Sequence, residues 1–355
     1  MLTIPTEPIG SIPRPARLVN ALKQANTDKK HLLQLYDDAL RDTVERFAQT
    51  RSPVISDGEQ TKPSFFTYPI HESEEVMPGG IVIQFCDGHT RSLPKLVHQG
   101  PFRYQTYANE YLTRAKQLTK LPVKQAVISV SALSLLYPQS ETIPGYSREQ
   151  FFNDLVNEGE ADIRKCLQNG AHSVQIDFTE GRLSLKLDPS GTLLKSFIDL
   201  NNRVLNRFTD KERQYLGVHS CSGGDQCSTH SADVDYSQLL PMLFELNVTN
   251  FYVQYASERD KHSILKLIRD NIKPNQRIFL GVINVLDERI ETPDEICQMI
   301  VDAARVIPVE QLGTTDDCGF SPFSDDMSRT RDIAFEKINA RVQGTKLAEE
   351  KLVRK

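Results

Sequence analysis

The chain has no tryptophan, and its six cysteines are sparse for 355 residues. So few thiols in so long a chain exclude a disulfide scaffold, so they read as free or metal-bound in a reducing, cytoplasmic setting. No apolar run approaches the roughly 18 residues that a membrane-spanning helix needs. The start, Met1 to Pro5, lacks a basic segment followed by an apolar stretch, so no secretory signal is expected. No Gly/Ser tract, Pro-rich hinge, charge block or repeat divides the chain. Excess positive charge is missing too: 42 basic residues stand against 47 acidic ones, a net charge of −5. That balance argues against a nucleic-acid partner. What is present is ordinary soluble composition, 39% hydrophobic and 25% charged, which excludes disorder and a fibre.

Short β-prone runs alternate with amphipathic helical patterns. The runs are Thr3–Ile9, Pro53–Asp57, Val123–Ser129, His172–Asp177, Tyr215–His219, Val248–Gln254, Arg277–Ile283 and Glu310–Thr314. Helical patterns follow at Lys29–Thr50, Arg148–Asn169, Gly191–Phe208, Ser237–Leu246, Ser257–Asn271, Pro293–Val306 and Ser324–Gln343. Ser147 with Gln150, and Thr292 with Pro293 and Glu295, are helix-start signals. Eight strand–helix units imply an α/β chain folded as a (β/α)8 TIM barrel. A doubly wound sheet is the rival, but no glycine-rich dinucleotide loop follows the first strand. The connection over residues 60–121 is long and contains Asp87-Gly88 between β-prone runs. It reads as a β-hairpin excursion after strand two, with a helix over Pro101–Lys120 returning the chain. One catalytic barrel is expected over residues 1–345, followed by a frayed polar tail over residues 346–355.

Barrel active sites lie at the carboxyl ends of the strands, which turns the strand pattern into a set of candidate residues. Ile9, Gly10 and Ser11 end strand one, Asp57-Gly58-Glu59 strand two and Asp177 strand four. His219 and Cys221 end strand five, Gln254 and Tyr255 strand six, and Asp316, Asp317 and Cys318 strand eight. His219, Cys221 and Cys318 form a zinc-like donor set that leaves a fourth position open, as catalytic sites do. The competing readings are three unrelated rim residues, or a local site built from Cys221, Cys227 and His230. Cys166 and Cys297 fall in helices and read as packed thiols; Cys86 has no assigned role. Glu180 and Arg182 read equally as a surface ion pair or as part of the site. Ser324 reads as a helix cap.

These motifs, in this order, resemble the catalytic barrel of the cobalamin-independent methionine synthase family. The similarity covers nearly the whole chain and is strongest to short, single-barrel, methionine synthase II-like members. Epoxyalkane:coenzyme M transferase shares the same zinc set. The resemblance implies zinc on His219, Cys221 and Cys318. It also implies homocysteine on Ile9, Gly10 and Ser11, with Glu59 and Asp177 on its amino group. Three departures stand out. Gln254 occupies the position of a family glutamate that can bind zinc; if it faces the ion, Gln254→Glu should tighten metal retention. Strand four continues Phe178-Thr179-Glu180 rather than Glu-Pro. The second barrel and the tryptophan that stacks on the folate pterin are both missing.

The expected chemistry is zinc-dependent transfer of a methyl or other alkyl group to a metal-bound thiol. A free thiol, with a pKa of about 8.5, is mostly protonated at neutral pH. The donor is open between a folate, a methylated corrinoid protein and a small electrophile. The leaving group needs a proton, for which Asp316, Asp317 and Tyr255 are unranked candidates. Thiol addition or elimination, and an idle zinc-binding barrel, are the alternatives. No membrane partner is expected, and the general acid and oligomeric state stay open.

Overall fold

The computed structural model describes residues 2–24, 27–139 and 142–353. Six parallel strands form its central sheet: β1 (Gln125–Ile128), β2 (Val174–Asp177), β3 (Leu216–Ser220), β4 (Asn250–Val253), β5 (Arg277–Gly281) and β6 (Leu312–Thr315). They pair in that order, and every residue except Arg277 is buried, as a sheet covered on both faces requires. The register puts Asp177 opposite His219, and His219 opposite Tyr252. Gly313 leaves room for a large neighbour: a Cβ there would lie 2.5 Å from Phe279 Cδ1. The Phe279 ring in turn stacks on Tyr252 at 4.6 Å.

The first two expected strands contribute single parallel bridges instead of ladders, Thr6 with Thr314 and Ile55 with Val123. Pro5, Pro8 and Pro53 have no N–H to donate, so pairing cannot propagate along either segment. The two segments are tied to each other at their ends. Ile12 N–H donates to Gly58 O at 3.0 Å, and Ser56 Oγ donates to Gly10 O at 2.7 Å.

Twelve helices lie among the described residues. They are α1 (Ala16–Leu22), α2 (Lys29–Gln49), α3 (Asn109–Leu118), α4 (Val130–Ser134), α5 (Arg148–Gln168), α6 (Glu180–Leu187), α7 (Thr192–Leu205), α8 (Asp210–Arg213), α9 (Tyr236–Leu243), α10 (Lys261–Asn271), α11 (Pro293–Ala303) and α12 (Arg331–Val353). Ser147, Thr209 and Thr292 each close a capping box, with Gln150, Glu212 and Glu295. Two differences from expectation concern the C-terminal part. Ser324 does not cap a helix, because α12 begins only at Arg331. The polar tail is ordered as far as Val353: Ala348 is fully buried and Glu349 accepts from Ile4 N–H at 2.7 Å. Packing holds this end of the helix, as terminal docking against the chain start requires. Arg354 and Lys355 lie outside the described residues.

In the long second connection, Val82–Gln84 pairs antiparallel with Thr90–Ser92 across the turn at Gly88. Val76–Met77 pairs with Lys95–Leu96 behind it. The expected helix over Pro101–Lys120 is confined to α3, because residues 101–104 are non-helical and packed: Phe102 N–H is bound by Tyr146 and Asp154.

Candidate metal centre and ligand cavity

His219 is set by the ladder of β3. Its Nδ1 lies 3.2 Å from Tyr252 O on the neighbouring strand. A carbonyl only accepts, so Nδ1 carries the hydrogen and Nε2 of the neutral ring keeps its lone pair. That Nε2 is buried and has no hydrogen-bond partner. Cys221 follows one residue after β3, and Gly223 N–H donates to its Sγ at 3.3 Å. Cys318 follows β6 and brings its Sγ to 3.0 Å from that of Cys221, although all six cysteines are free. The sulfur–sulfur contact, opposed by burial and aided by His219, holds Cys318 well below the usual thiol range. The same contact, with burial, pushes Cys221 up.

The donor atoms of His219, Cys221 and Cys318 all lie within 4.8 Å of one another. A cluster this compact can close on one ion at zinc-like bond lengths of about 2.0–2.3 Å. The orphaned imidazole nitrogen and the paired sulfurs make a donor set that fits a divalent, thiophilic metal. Among the described residues no other such group of His, Cys, Asp and Glu occurs. The local alternative is not assembled: Cys227 Sγ is exposed and lies 3.2 Å from Arg329 Nη2. His230 instead lies against Gly223 and the edge of the Phe85 ring. Gln254 uses both polar atoms elsewhere, accepting from Ser222 N–H at 2.9 Å and donating to Glu258 at 2.7 Å.

A cavity of about 370 Å³ opens beside this cluster. Ile9, Gly10, Ser11, Glu59 and Asp177 line it together with His219 and Cys318. The chain start is pressed onto the loop after β6: a Cβ on Gly319 would lie 2.2 Å from Ser11 Oγ. Glu59 holds a left-handed backbone at φ +55°, a conformation that costs a non-glycine residue about 1–3 kcal/mol. Arg14 binds its carbonyl at 2.6 Å and Asp57 its N–H at 3.0 Å, which keep it there. Its carboxylate pairs with buried Lys62 at 3.0 Å. Burial raises Asp177 to about 6 against the pull of His219, and Gln175 Nε2 donates to it at 2.7 Å.

Asp316 and Asp317 face other work. Asp316 accepts from buried Arg341 at 2.6 Å. Asp317 accepts the N–H groups of Tyr255, Ala256 and Ser257, each at 2.8 Å, and so shapes the loop after β4.

The outer wall is apolar, built by Phe65, Phe66, Ile83, Phe85, Leu93 and Phe323. Arg91 straps the antiparallel pair across the mouth. It reaches Asp225 after β3 at 2.5 Å and Asp325 after β6 at 2.9 Å, with its guanidinium 4.3 Å over Phe323.

One wall residue was left open between two readings by its sequence. Glu180 and Arg182, read equally as a surface ion pair or as part of the site, are both buried. Arg182 pairs with Glu258 at 2.6 Å rather than with Glu180. Glu180 lines the cavity and is bound by Ser129 and Ser131. The only signal for it was its place three residues past Asp177.

Comparison with known proteins gives a consistent picture. A family model described as the catalytic domain of cobalamin-independent synthase matches residues 4–343. A methionine synthase of Sulfurisphaera tokodaii is 23% identical over 99% of this chain and 94% of its own. One of Saccharolobus solfataricus is 23% identical over 99% and 97%. Among solved structures, a B12-independent methionine synthase from Shewanella sp. W3-18-1, in complex with selenomethionine, shares the fold with a TM-score of 0.76. It is 19% identical, and the match covers 100% of both chains. A methyltransferase from Methanosarcina mazei matches with a TM-score of 0.54 at 12% identity, over 97% and 94%.

Proposed function

The chain belongs to the cobalamin-independent synthase family, spans its catalytic domain and is a transferase, and from that premise we propose that it methylates a thiol such as homocysteine with the help of zinc. The observation that carries this reading is the convergence of an orphaned imidazole nitrogen and two touching thiols, with His219 and Cys318 on the wall of a cavity. His219, Cys221 and Cys318 would hold the ion. When bound, zinc supplies a position where a substrate thiol persists as thiolate at neutral pH.

The chain's own residues do the rest. Tyr252 O fixes the tautomer and plane of His219, so Nε2 is always presented. The backbone of Ile9 and Gly10 and the hydroxyl of Ser11 offer polar contacts to an amino-acid substrate. Glu59 and Asp177 offer negative charge for its ammonium group, three carboxylates with Asp57 standing against Lys62. The phenylalanine-lined outer wall keeps water from the reacting atoms and leaves the donor, a folate or a corrinoid, to enter from the strapped side.

We further read the six-stranded sheet and the bridges at Thr6 and Ile55 as a closed eight-stranded barrel forming one unit over residues 1–345. Free thiols throughout fit a reducing cytoplasm.

Cys221→Ser and Cys318→Ser test the ligand assignment. Each is expected to lose zinc by elemental analysis and methyl transfer with it. One zinc per chain retained in either variant would overturn the assignment. Homocysteine should also add one sulfur to the metal's X-ray absorption spectrum; an unchanged spectrum would exclude thiol ligation.

A further inference from the structure

Glu180 is the first residue of α6, three positions beyond Asp177, and it is 4% exposed. One oxygen is firmly placed. Ser129 Oγ donates to Oε1 at 2.5 Å, and Ser131 Oγ donates to the same atom. Ser129 is itself fixed as the cap of α4, accepting from Ala132 N–H at 3.1 Å. Ser131 is fixed from α7 by Asn201 Nδ2 at 2.6 Å. The other oxygen, Oε2, is buried and has no hydrogen-bond partner.

Such a group costs about 1–3 kcal/mol to leave unsatisfied, so it implies a partner that arrives with a ligand. The residue lines the same cavity as His219, Cys318, Leu135 and Leu183. Nothing cationic reaches it. Arg182 on its own helix is committed to Glu258, and α4 and α7 present only hydroxyls and an amide. Asp177 from β2 is the charged group that acts on it. Burial above all, with Asp177 adding, raises Glu180 to about 7 against the two serine hydroxyls. The carboxyl can therefore carry a proton at neutral pH and release it.

We propose that Glu180 is a catalytic acid for the donor half of the reaction, its Oε2 delivering a proton to the leaving atom of a neutral methyl donor. This rests on the methyl-transfer reading above. The balance is complete. The substrate sulfur forms a bond to the methyl carbon while the carbon–heteroatom bond breaks and its electron pair stays on the heteroatom. The proton of Glu180 goes to that atom, and the proton given up by the thiol on binding restores the carboxyl through solvent. A sulfonium or quaternary ammonium donor leaves as a neutral molecule and needs no proton. The site thus selects donors whose methyl sits on an uncharged nitrogen or oxygen, and the apolar wall suits such a molecule.

The test compares zinc-loaded wild type with Glu180→Gln, which keeps an acceptor for both serines and removes the acid. The first measurement is infrared titration. Wild type should show a carboxylic C=O band lost near pH 7 that is missing in Glu180→Gln; identical spectra would overturn the proposal. The second is methylation of homocysteine from methyl iodide, whose leaving group needs no proton, against a methylated reduced folate, whose nitrogen does. Glu180→Gln should shift the ratio of the two rates about 100-fold toward methyl iodide. A ratio unchanged from wild type, or a wild type that uses methyl iodide but not the folate, would overturn the proposal. Failure of wild type with both donors would instead overturn the methyl-transfer reading, while the infrared titration still decides whether Glu180 holds the proton.

Discussion

Gln254 illustrates how one atom changes a position's role. Its amide donates to Glu258 and accepts from Ser222 N–H, two bonds no carboxylate can make together. The sequence suggests that a glutamate here would grip the metal more tightly. The geometry points the other way: Gln254→Glu places two carboxylates in a partly buried contact and loses a donor. We expect a loss of about 1–3 kcal/mol in urea unfolding with no slower zinc release to a chelator. Slower release at unchanged stability would mean that position 254 faces the ion. At this scale the His219-x-Cys221 motif and Cys318 were legible, because their chemistry is written in residue type and short spacing. Glu180 was legible only as one of two equal readings, since its burial and free oxygen depend on Ser129, Ser131 and Asn201 from two other helices.

Among the elements, the antiparallel pair held by Arg91 is the one whose stability is local. It has few buried residues; Arg91 ties it to the loops after both β3 and β6, and His89, Cys86 and Asp87 add contacts to the loop after β3. Arg91→Ala should raise amide hydrogen exchange over residues 82–92, while global stability changes by no more than about 1 kcal/mol. Unchanged exchange would show that the strap is held instead by the Cys86 N–H bond to Thr229 O and the contacts of Asp87 and His89 with Ser228 and Asp225. The central strands were legible because each is a continuous buried run. Thr3–Ile9 and Pro53–Asp57 were over-read: their β-prone residues were visible, and the effect of their prolines on pairing was underweighted. The C-terminal helix was under-read, since the docking of Glu349 on Ile4 N–H joins opposite ends of the chain.

For the whole molecule, acid stability turns on a charge buried near the start of the strands. Glu7 accepts from Tyr252 Oη at 2.6 Å and lies 3.5 Å from Lys124. Burial works against its ionisation, but Lys124, His172 and Tyr252 together bring it down to about 2. Lys124 is itself lowered to about 8, because burial outweighs the attraction of Glu7. The carboxylate, with more partners, is thus better compensated than the ammonium group. Its folded value lies below its unfolded value of about 4.5, so its contribution is full above about pH 4.5 and is lost as pH falls through about 2. The shift corresponds to ~3 kcal/mol. The stability difference between wild type and Glu7→Gln, from urea midpoints, should be constant above pH 5 and shrink steadily below about 4.5. A difference independent of pH would place the effect in packing rather than charge.

The sequence alone determined the alternation of strand and helix, the family resemblance and the donor types of the candidate metal site. All of these follow from local pattern and residue chemistry. The tertiary structure alone decided which polar residues at the strand ends are left without partners. Both polar atoms of Gln254 and both oxygens of Asp317 are engaged by neighbours, whereas His219 Nε2 and Glu180 Oε2 are not. The physical reason is that hydrogen-bond satisfaction belongs to a neighbourhood: it depends on groups brought from far along the chain, and no residue carries it in its own identity.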